Sequence, residues 1–394
     1  EGPGDFSPNA AFLLQNPDLA AMHLASEDIA SIDADIVSRN LYPPRVEDMA
    51  ARFNFLHAYG WEESAFPLDW VDSFNKSLQG MSVISDHVCK IMLDNGVTVP
   101  IAVSSLGADH WTRIIPDNTY KLTARTFRFL HVSSCFPRKG VDVMLKAYGR
   151  AFRASDDVSL VIKTFPNPHN QIYRWLKEAQ DGNSAFPHVL IIEDDFTGAQ
   201  LKALYSQCHA LVAPSRAEGF GLPMAEAMQS GLAVITTGWG GQTGFCTAET
   251  SWLVDYSFAR AKTHFGLSAS VWAEPDEIHL ATLMGEVFHA PPDVRLTRIA
   301  SGQRLLNENF KWVDVAQRMV DAAHICVQKK QHKDLRIGWV ATWNTRCGIA
   351  TYSEHLINNL PTDITILAAH SDSGMNGDSA NVCRCWSAGD HDDL

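Results

Sequence analysis

The chain has 394 residues, of which 46% are hydrophobic and 20% charged, and its formal net charge is −13 at pH 7. This composition is typical of a globular protein with sizeable cores, and the length allows two or three domains. The acidic balance argues against nucleic acid as a partner, since proteins that bind it cluster Lys and Arg. No apolar run of about 18 residues occurs, so no membrane-spanning helix is expected.

Eight cysteines are scattered along the chain without a CxxC pair. Zinc sites and disulfide frameworks need closer or more regular spacing, so we expect neither, and thinly spread thiols suit a reducing cytoplasm. The segment 1–5 does not resemble a signal peptide. Because the first residue is Glu1 and not Met, we interpret the chain as a piece of a longer protein.

The first region, 1–120, contains short apolar segments bounded by polar turns, such as Phe53–His57 and Met81–Ser85. Helical spacing predicts a helix over 86–95, and the apolar run after it predicts a strand over 99–104. This region therefore contains strands and at least one helix.

The second region, 121–330, alternates short apolar strands with helices. This alternation predicts an α/β fold, with a parallel sheet that is covered by helices on both faces. In such a sheet, ligands bind beyond the carboxyl ends of the strands. The predicted strands are 127–132, 158–163, 189–193, 210–212 and 233–236, and the predicted helices are 141–152, 171–179, 198–207, 222–230, 276–288 and 312–326.

The third region, 331–394, has predicted strands at 336–341 and 364–368 with a helix over 349–360 between them. The polar linker 328–334 is the predicted domain boundary. The remainder, 371–394, is rich in Gly, Asp and Ser and is expected to be flexible.

The segment 214–226, with the sequence PSRAEGFGLPMAE, follows a predicted strand and opens a helix. Pro223 suits the first turn of a helix, where its missing N–H is harmless. Gly219 and Gly221 allow the backbone to approach another group closely. The free N–H groups of the new helix form an anion site that suits a diphosphate.

Two carboxylates flank this turn. Glu218 precedes the helix and Glu226 lies about one turn into it, so that they can hold different parts of one ligand. The alternative is that Glu218 caps the helix and Glu226 lies on the surface. The intervening Gly-Phe-Gly-Leu-Pro favours the ligand interpretation.

This segment resembles the signature of the retaining glycosyltransferases of family 4, which have the GT-B fold and two Glu separated by seven residues. The resemblance extends from about 35 to 327 and includes 134–140 (SCFPRKG), 201–206 and Trp312. Further segments resemble a bacterial branch that is often built as tandem modules: YPP at 42–44, GWEES at 60–64 and PLDW at 67–70.

The resemblance implies donor-site roles. Glu218 would contact hydroxyls of the donor sugar and stabilise the charge that develops on its ring, and Glu226 would hold the ribose. The residues expected to face the donor phosphates are Gly219, Phe220, Gly221 and Leu222.

Lys139, with Arg138, would neutralise the leaving diphosphate, and fixed positive charge of this kind is usually a large catalytic term. The family usually has an Arg about six residues before that Lys, where this chain has Ser133. We count Ser133 as a donor-site residue, and either Arg138 compensates or activity is weak. The alternative for Arg138 and Lys139 is a solvated helix start.

Further candidates lie elsewhere in the chain. Lys163 ends a predicted strand at the edge where ligands bind. The stretch 238–244 looks like a dinucleotide-binding loop, but no clear helix follows it, as a Rossmann dehydrogenase would need. The resemblance instead makes it a loop facing the sugar, with Gly241, Gln242 and Thr243 as possible donor contacts. Acceptor-side candidates are His57, Glu62 and Glu63.

No metal is expected, because the acidic stretch Glu193–Asp195 is interpreted as a loop cap. No cofactor is expected either, since the nucleotide diphosphate sugar is a substrate. The third region contains a strand, a glycine loop and a helix over 339–353, which resembles the opening of another acceptor domain. We therefore predict 1–120 to be a partial acceptor-side domain and 121–330 the nucleotide-sugar-binding domain. Residues 331–394 would begin a following module of a tandem enzyme; the alternative is an independent appendage.

The resemblance implies a hexosyltransferase that uses a nucleotide diphosphate sugar, acts with retention of configuration and serves polysaccharide biosynthesis. Its partners would be a glycan or lipid-linked acceptor and further modules, at the inner face of the membrane or free in the cytoplasm. Two alternatives remain open: a catalytically silent scaffold that binds nucleotide sugars, and a GT-B phosphorylase or epimerase.

Overall fold

A computed structural model of the chain describes residues 10–25, 35–40, 42–263, 265–329, 337–341, 343–344, 348–359, 364–370 and 377–386. The chain divides into two compact units between Cys326 and Val327. The first unit contains a small lobe, residues 35–120, and a large lobe, residues 121–310. Within the described residues, no helix combines the length and apolar character that crossing a bilayer requires.

The small lobe is a parallel sheet of order β1-β2-β3-β4. Strand β4 and helix α4 fall where the sequence predicts them, and β2 and β3 coincide with the apolar segments Phe53–His57 and Met81–Ser85. Strand β1 and helix α3 are not predicted. Ser85 caps α4 by accepting a hydrogen bond from Val88 N at 3.2 Å. The elements up to the end of this lobe are α1 Ala10–Gln15, α2 Pro17–Ala25, β1 Ile36–Arg39, β2 Phe53–Tyr59, α3 Leu68–Ser77, β3 Gly80–Val83, α4 Asp86–Asp94, β4 Ile101–Val103 and α5 His110–Arg113.

The large lobe is built on a parallel sheet of order β10-β9-β8-β5-β6-β7. The predicted α/β class is confirmed, and each predicted strand of this region lies within two residues of an observed one. The elements are β5 Phe127–Val132, α6 Val141–Ala151, β6 Val158–Lys163, α7 Ile172–Gln180, β7 His188–Ile192, α8 Gly198–Ser206, β8 Ala210–Ala213, α9 Leu222–Gln229, β9 Ala233–Thr237 and β10 Trp252–Val254.

Helices cover both faces of this sheet, as the near-continuous apolar strands predict. One core lies between the sheet and α6 and α7, and includes Tyr148 and Phe129. The other lies between the sheet and α8 and α9, and includes Tyr205 and Trp111. The carboxyl ends of the strands are thereby left to the loops, where a ligand can bind.

An antiparallel hairpin, β11 Tyr256–Arg260 and β12 Val271–Pro275, extends from the large lobe. We call residues 256–275, of which all but 264 are described, the arm. The arm packs on the small lobe: Phe265 lies 4.7 Å from the ring of Trp61. The backbone N–H of Val271 donates to Ser64 Oγ at 2.8 Å. This hairpin is not predicted from the sequence.

Three further helices follow along the chain: α10 Glu277–His289, α11 Pro292–Asn309 and α12 Trp312–Lys329. Helix α11 is not predicted, because only Ile299, Gly302 and Leu306 of its 18 residues are buried and its apolar periodicity is weak. Helix α12 contacts the small lobe, where Arg318 Nε donates to Ser104 O at 2.9 Å.

The second unit is a parallel sheet of order β13-β14-β15, formed by Ile337–Ala341, Ile364–Ala369 and Val382–Trp386, with helix α13 at Gly348–Ile357. The expectation that all of 371–394 is flexible is wrong for β15. This strand pairs with β14 through Ile366 and Val382, and a five-residue strand with a central Arg384 is too short to recognise from its pattern. Residues 371–376 and 387–394 lie outside the described residues.

Candidate active site at the carboxyl ends of the strands

The loop after β8 and the turn after β5 meet at the carboxyl edge of the large sheet. Strands β5 and β8 are neighbours, so the segments that follow them are brought together. The backbone N–H of Arg216 donates to Arg138 O at 2.7 Å. Gly140 has φ 67°, and a Cβ there would lie 2.0 Å from Pro214 O, so only glycine fits. Two segments singled out separately in the sequence thus form one site.

Glu218 and Lys139 form a buried ion pair in this site. Lys139 Nζ lies 2.6 Å from Glu218 Oε1, and Ser215 Oγ donates to the same oxygen at 2.7 Å. Although burial opposes ionisation, the charges of Lys139 and Arg138 hold the pKa of Glu218 below its usual range. Burial lowers the pKa of Lys139 despite the nearby carboxylate. The interpretation of Glu218 as a helix cap is wrong, because the N-cap of α9 is Gly221.

Arg138 joins the two lobes at this site. Its Nη2 lies 3.0 Å from Glu62 Oε1 of the small lobe, and its Nη1 lies 3.7 Å from Glu218 Oε2. Arg138 is therefore not part of a solvated helix start. The acceptor-side candidate Glu62 and the donor-side candidate Glu218 lie on opposite ends of one guanidinium.

Arg216 forms a brace between the segments that carry Glu218 and Lys139, and this role is not predicted from the sequence. Its guanidinium makes paired contacts with Asp142, at 2.9 and 2.9 Å, and with Glu274, at 2.6 and 2.6 Å. It also donates to Pro137 O and lies 5.1 Å from the ring of Trp272. The brace holds the loop that carries Glu218 against the turn that carries Lys139. The available signal was an arginine two residues before Glu218 in the segment 214–226.

Glu226 is buried in α9, so the interpretation as a surface residue is wrong. Only 9% of it is exposed. Tyr205 Oη donates to its Oε2 at 3.2 Å, and His110 Nε2 lies 4.0 Å from its Oε1. Burial raises the pKa of Glu226 to about 7, although Tyr205 and the charge of Lys202 act in the opposite direction.

This raised pKa predicts a pH-dependent stability for Glu226→Gln. Between pH 4.5 and 7 the folded state holds a proton on Glu226 that the unfolded state has lost. The contribution of this carboxyl group to the free energy of unfolding is therefore fully present below about pH 4.5 and is lost as the pH rises through 7. At pH 8 the wild type buries a carboxylate that the variant lacks. We expect the variant to be more stable at pH 8, by on the order of 1–3 kcal/mol, with little difference at pH 5.

Urea unfolding at both pH values tests this expectation, with Glu308→Gln at an exposed position of α11 as the matched control. The variant Glu226→Gln should differ from wild type only at pH 8, and the control at neither pH. A variant that is less stable than wild type at pH 8 would show that the charge of Glu226 stabilises the fold.

The glycine loops pack against the small lobe. Ser85 Oγ donates to Gly219 O at 2.6 Å, and a Cβ at Gly219 would lie 2.9 Å from Trp61 O. A Cβ at Gly241 would lie 1.9 Å from Gly219 O. The close approach that these glycines permit is thus made by neighbouring backbone in this structure.

The side chain of Phe220, one of the residues expected to face the donor phosphates, packs in the core of the large lobe. Its ring lies 5.2 Å from Phe245 and 5.9 Å from Phe310, and only 4% of it is exposed. Leu222 is partly buried against the same core.

Gln242, a possible donor contact, lies inside its loop. It is fully buried, and its Nε2 donates to Thr237 O and Trp239 O at 2.9 and 2.8 Å, because these carbonyls have to be satisfied inside the loop. Thr243 is exposed. The loop continues as a short 3-10 turn, Gly241–Gly244, and not as the helix that a dinucleotide-binding loop requires.

Ser133 lies beside the buried ring of His131. Its Oγ donates to His131 Nε2 at 2.7 Å and accepts from Cys135 N at 3.0 Å. Burial lowers the pKa of His131 to about 4, so this ring is neutral, and its Nδ1 donates to Val212 O at 2.8 Å.

The remaining candidates lie apart from the Glu218 pair. Lys163 Nζ lies 5.2 Å from the ring centre of Phe196, at the edge formed by β6 and β7. His57 lies on β2, with its Nδ1 2.8 Å from Ser38 Oγ. Glu63 is buried beside the arm, where Ser270 Oγ donates to its Oε2 at 2.7 Å.

Comparison with known proteins gives matches in sequence and in structure. Residues 126–261 match the family described as Glycosyl transferases group 1. The chain is 32% identical over 125 residues to the serotype-specific mannosyltransferase WbdA of Escherichia coli, covering 31% of this chain and 15% of that protein. It is 29% identical over 195 residues to the MMP alpha-(1->4)-mannosyltransferase of Mycolicibacterium hassiacum, covering 48% and 40%. The chain thus spans less than half the length of these curated relatives.

Solved structures with the same fold have low sequence identity. A glycosyltransferase from Rickettsia africae has a TM-score of 0.59 and 17% identity, covering 82% of this chain and 84% of that one. Sucrose-phosphate synthase of Thermosynechococcus elongatus has a TM-score of 0.59 and 17% identity, covering 83% and 82%. Anabaena HepE, solved with UDP and glucose, has a TM-score of 0.51 and 14% identity, covering 79% and 83%. The fold is therefore GT-B.

Proposed function

We propose that this chain, whose residues 126–261 match the family described as Glycosyl transferases group 1, transfers a hexose from a nucleotide diphosphate sugar to a glycan hydroxyl with retention. The observation that carries the proposal is the buried pair of Glu218 and Lys139, with Arg138, at the carboxyl edge of the sheet. Burying these charges is costly, and the edge is where α/β sheets bind ligands.

The charges of the site match the charge that develops during sugar transfer. Lys139 and Arg138 would stabilise the negative charge on the departing diphosphate, with the N-terminus of α9 beside them. Glu218 stays ionised at neutral pH because its pKa is held low. It would accept hydrogen bonds from the donor-sugar hydroxyls and stabilise positive charge on the ring. We infer front-face departure of the diphosphate, without a metal and without an enzyme nucleophile.

Glu226 would bind the ribose hydroxyls of the donor. The ionised form of a buried carboxylate with a pKa of about 7 would be stabilised by hydrogen bonds from two hydroxyls, which replace the hydration that burial removes. Because the ionised form accepts these bonds, nucleotide affinity should rise as pH increases through 7. Two relatives are named mannosyltransferases, so mannose is the first donor sugar to test.

A thermal-shift screen of UDP-, GDP-, ADP- and dTDP-sugars tests donor binding, since a ligand that binds only the folded state raises Tm. We expect one nucleotide class to stand out. Glu226→Ala should weaken its binding by roughly 1.5–3 kcal/mol, the cost of losing hydrogen bonds to a charged group. Glu308→Ala serves as the control. No shift with any nucleotide, or equal affinity for both variants and wild type, would contradict the donor site.

The proposal extends to partners. A glycan or lipid-linked acceptor, peripheral association with the inner face of the membrane and further modules of a tandem enzyme fit a polysaccharide-building enzyme. The parallel sheet and helix of the second unit support the proposal that 331–394 begins a further module.

A catalytically silent scaffold is the second candidate. It is favoured by Ser133, whose hydroxyl is bonded to His131 where the resembled family usually supplies an Arg. Donor hydrolysis separates the two, because a scaffold binds the nucleotide sugar without cleaving it. Release of a sugar phosphate, or epimerised donor, would instead indicate a phosphorylase or an epimerase.

A further inference from the structure

A pocket of about 450 Å³ lies on the large lobe between α7 and the arm. All of its lining residues belong to the large lobe, and none of them is a residue to which the proposed sugar transfer assigns a donor or acceptor contact. This volume falls within the range of small-molecule sites, about 300–1,000 Å³. The pocket can therefore hold a ligand other than the substrates of that reaction.

The rim of the pocket carries three basic side chains, which we call the rim cations: Arg174 of α7 and Arg260 and Lys262 of the arm. All three are exposed. Arg174 Nε has a loose contact with Glu178 at 3.5 Å, whereas Arg260 and Lys262 form no ion pair within the described parts of the chain. In a chain with a net charge of −13, three cations around one pocket favour an anionic group there.

Arg260 is held in place at the rim. Its Nη1 donates to Ser268 O on the same arm, which orients the guanidinium and leaves Nη2 for another acceptor. A guanidinium presents paired N–H groups that match the oxygens of a phosphate. The rim cations therefore suit a phosphate group.

The base of the pocket has the opposite character. It contains Arg216, Trp175 and Trp272, which are at most 8% exposed. Two carboxylates beside them, which we call the base carboxylates, belong to Asp142 and Glu274, and their side chains are 28% and 33% exposed. Each of their oxygens accepts one hydrogen bond from Arg216. A carboxylate oxygen has a second lone pair, so the base carboxylates can still accept from ligand hydroxyls.

This separation of charge restricts the class of ligand. A second phosphate at the base would be repelled, because two carboxylates share one guanidinium there. A cation would be repelled by the rim. A sugar that carries one phosphate meets both conditions, with the phosphate at the rim and hydroxyl donors at the base.

We propose that this pocket binds a hexose phosphate, with its phosphate group on the rim cations and its hydroxyls donating to the base carboxylates. The inference does not depend on the proposed function, since it uses no residue of the donor site. The base carboxylates also hold Arg216, so the occupant adjoins the brace between the segments that carry Glu218 and Lys139.

Isothermal titration calorimetry on the intact chain at constant ionic strength tests the site. The probes are the 1- and 6-phosphates of mannose and glucose, with inorganic phosphate and the free hexoses for comparison. We expect at least one hexose phosphate to bind about tenfold more tightly than inorganic phosphate and than its free hexose. Arg260→Gln and Arg174→Gln should each weaken that binding about tenfold, because hydrogen bonds to a charged group are lost. Arg304→Gln, which removes the same charge at an exposed position of α11, is the matched control and should bind as wild type does.

A further variant separates this pocket from the donor site, where phosphate could also bind. The double variant Glu218→Gln with Lys139→Met should keep the affinity for the hexose phosphate. If it loses that affinity while Arg260→Gln keeps it, the phosphate lies in the donor site and the proposal is wrong. No binding of any hexose phosphate, or wild-type binding by both Arg260→Gln and Arg174→Gln, would overturn the site. Inorganic phosphate that binds as tightly as every hexose phosphate would overturn the role of the base carboxylates. Binding of phosphatidylglycerol vesicles without binding of any hexose phosphate would show that the rim cations meet a lipid surface instead.

Discussion

Replacing Glu218 with Gln is expected to lower kcat for sugar transfer by about 10²–10³-fold, the usual cost of removing one fixed electrostatic group from a transition state. Glu218 is buried and held ionised by Lys139 and Arg138. Its charge should matter most when positive charge develops on the sugar ring, so the loss should appear in kcat, with a much smaller change in the KM for the donor.

The choice of Gln over Ala separates catalysis from folding. Alanine would leave Lys139 buried without its partner at 2.6 Å, and breaking a buried ion pair costs about 3–5 kcal/mol. Glutamine also removes the counter-charge of Lys139, but it keeps the shape and a hydrogen-bond acceptor for Lys139 and Ser215, so it should cost less than alanine. The double variant Glu218→Gln with Lys139→Met removes both charges, so it should fold but remain inactive.

Steady-state kinetics at varied donor concentration give kcat and KM, and thermal unfolding gives the Tm of each variant. Glu308→Gln is the control. Wild-type kcat in a folded Glu218→Gln variant would exclude this carboxylate from the chemistry. Equal losses in donor affinity for Glu218→Gln and Glu226→Gln would contradict the division of roles between them.

Arg216→Ala is expected to destabilise the protein by roughly 2–4 kcal/mol, somewhat below the full cost of breaking a buried ion pair. The side chain of Arg216 is 7% exposed, but those of its partners Asp142 and Glu274 are 28% and 33% exposed, so water recovers part of the loss. Since Arg216 also donates to Pro137 O, its removal should loosen the turn that carries Lys139.

Arg150→Ala is the matched control, because Arg150 and Glu277 form an exposed ion pair at 2.8 Å, and such pairs contribute about 0–1 kcal/mol. Urea unfolding compares the two. Arg216→Lys should not rescue stability, since a lysine cannot make the paired contacts of a guanidinium. Equal stabilities for Arg216→Ala and Arg150→Ala would show that the brace is not a stabilising element.

The large sheet could be predicted from the sequence because its strands are buried on both faces and separated by helices of clear period. The family resemblance assigned Glu218 and Lys139 to one donor site, and they meet in the structure because β5 and β8 are neighbouring strands. The paired contacts of Arg216 could not be predicted, because Asp142 and Glu274 lie 74 and 58 residues away. Only the folded arrangement brings these three together.

Helix α11 and the arm were missed for related reasons. Helix α11 buries three residues and thus has little apolar periodicity to read. The arm is mostly exposed along β11, and its apolar contacts lie on the other lobe. Likewise, nothing local distinguishes the buried Gln242 from an exposed one. Gln242 is buried because its side-chain amide donates hydrogen bonds to backbone carbonyls of the loop that otherwise lack donors.

The arm has a consequence for exchanging domains between related enzymes. Phe265 of the large lobe lies within 4.7–6.2 Å of the rings of Tyr42, Trp61 and Trp70. The aromatic core of the small lobe therefore includes a side chain that belongs to the large lobe. A chimera that joins this small lobe to a foreign large lobe inherits a foreign residue at that position. A chimera that keeps this core intact must therefore take the small lobe and residues 256–275 from the same protein. More than a hundred residues separate these two segments in the chain.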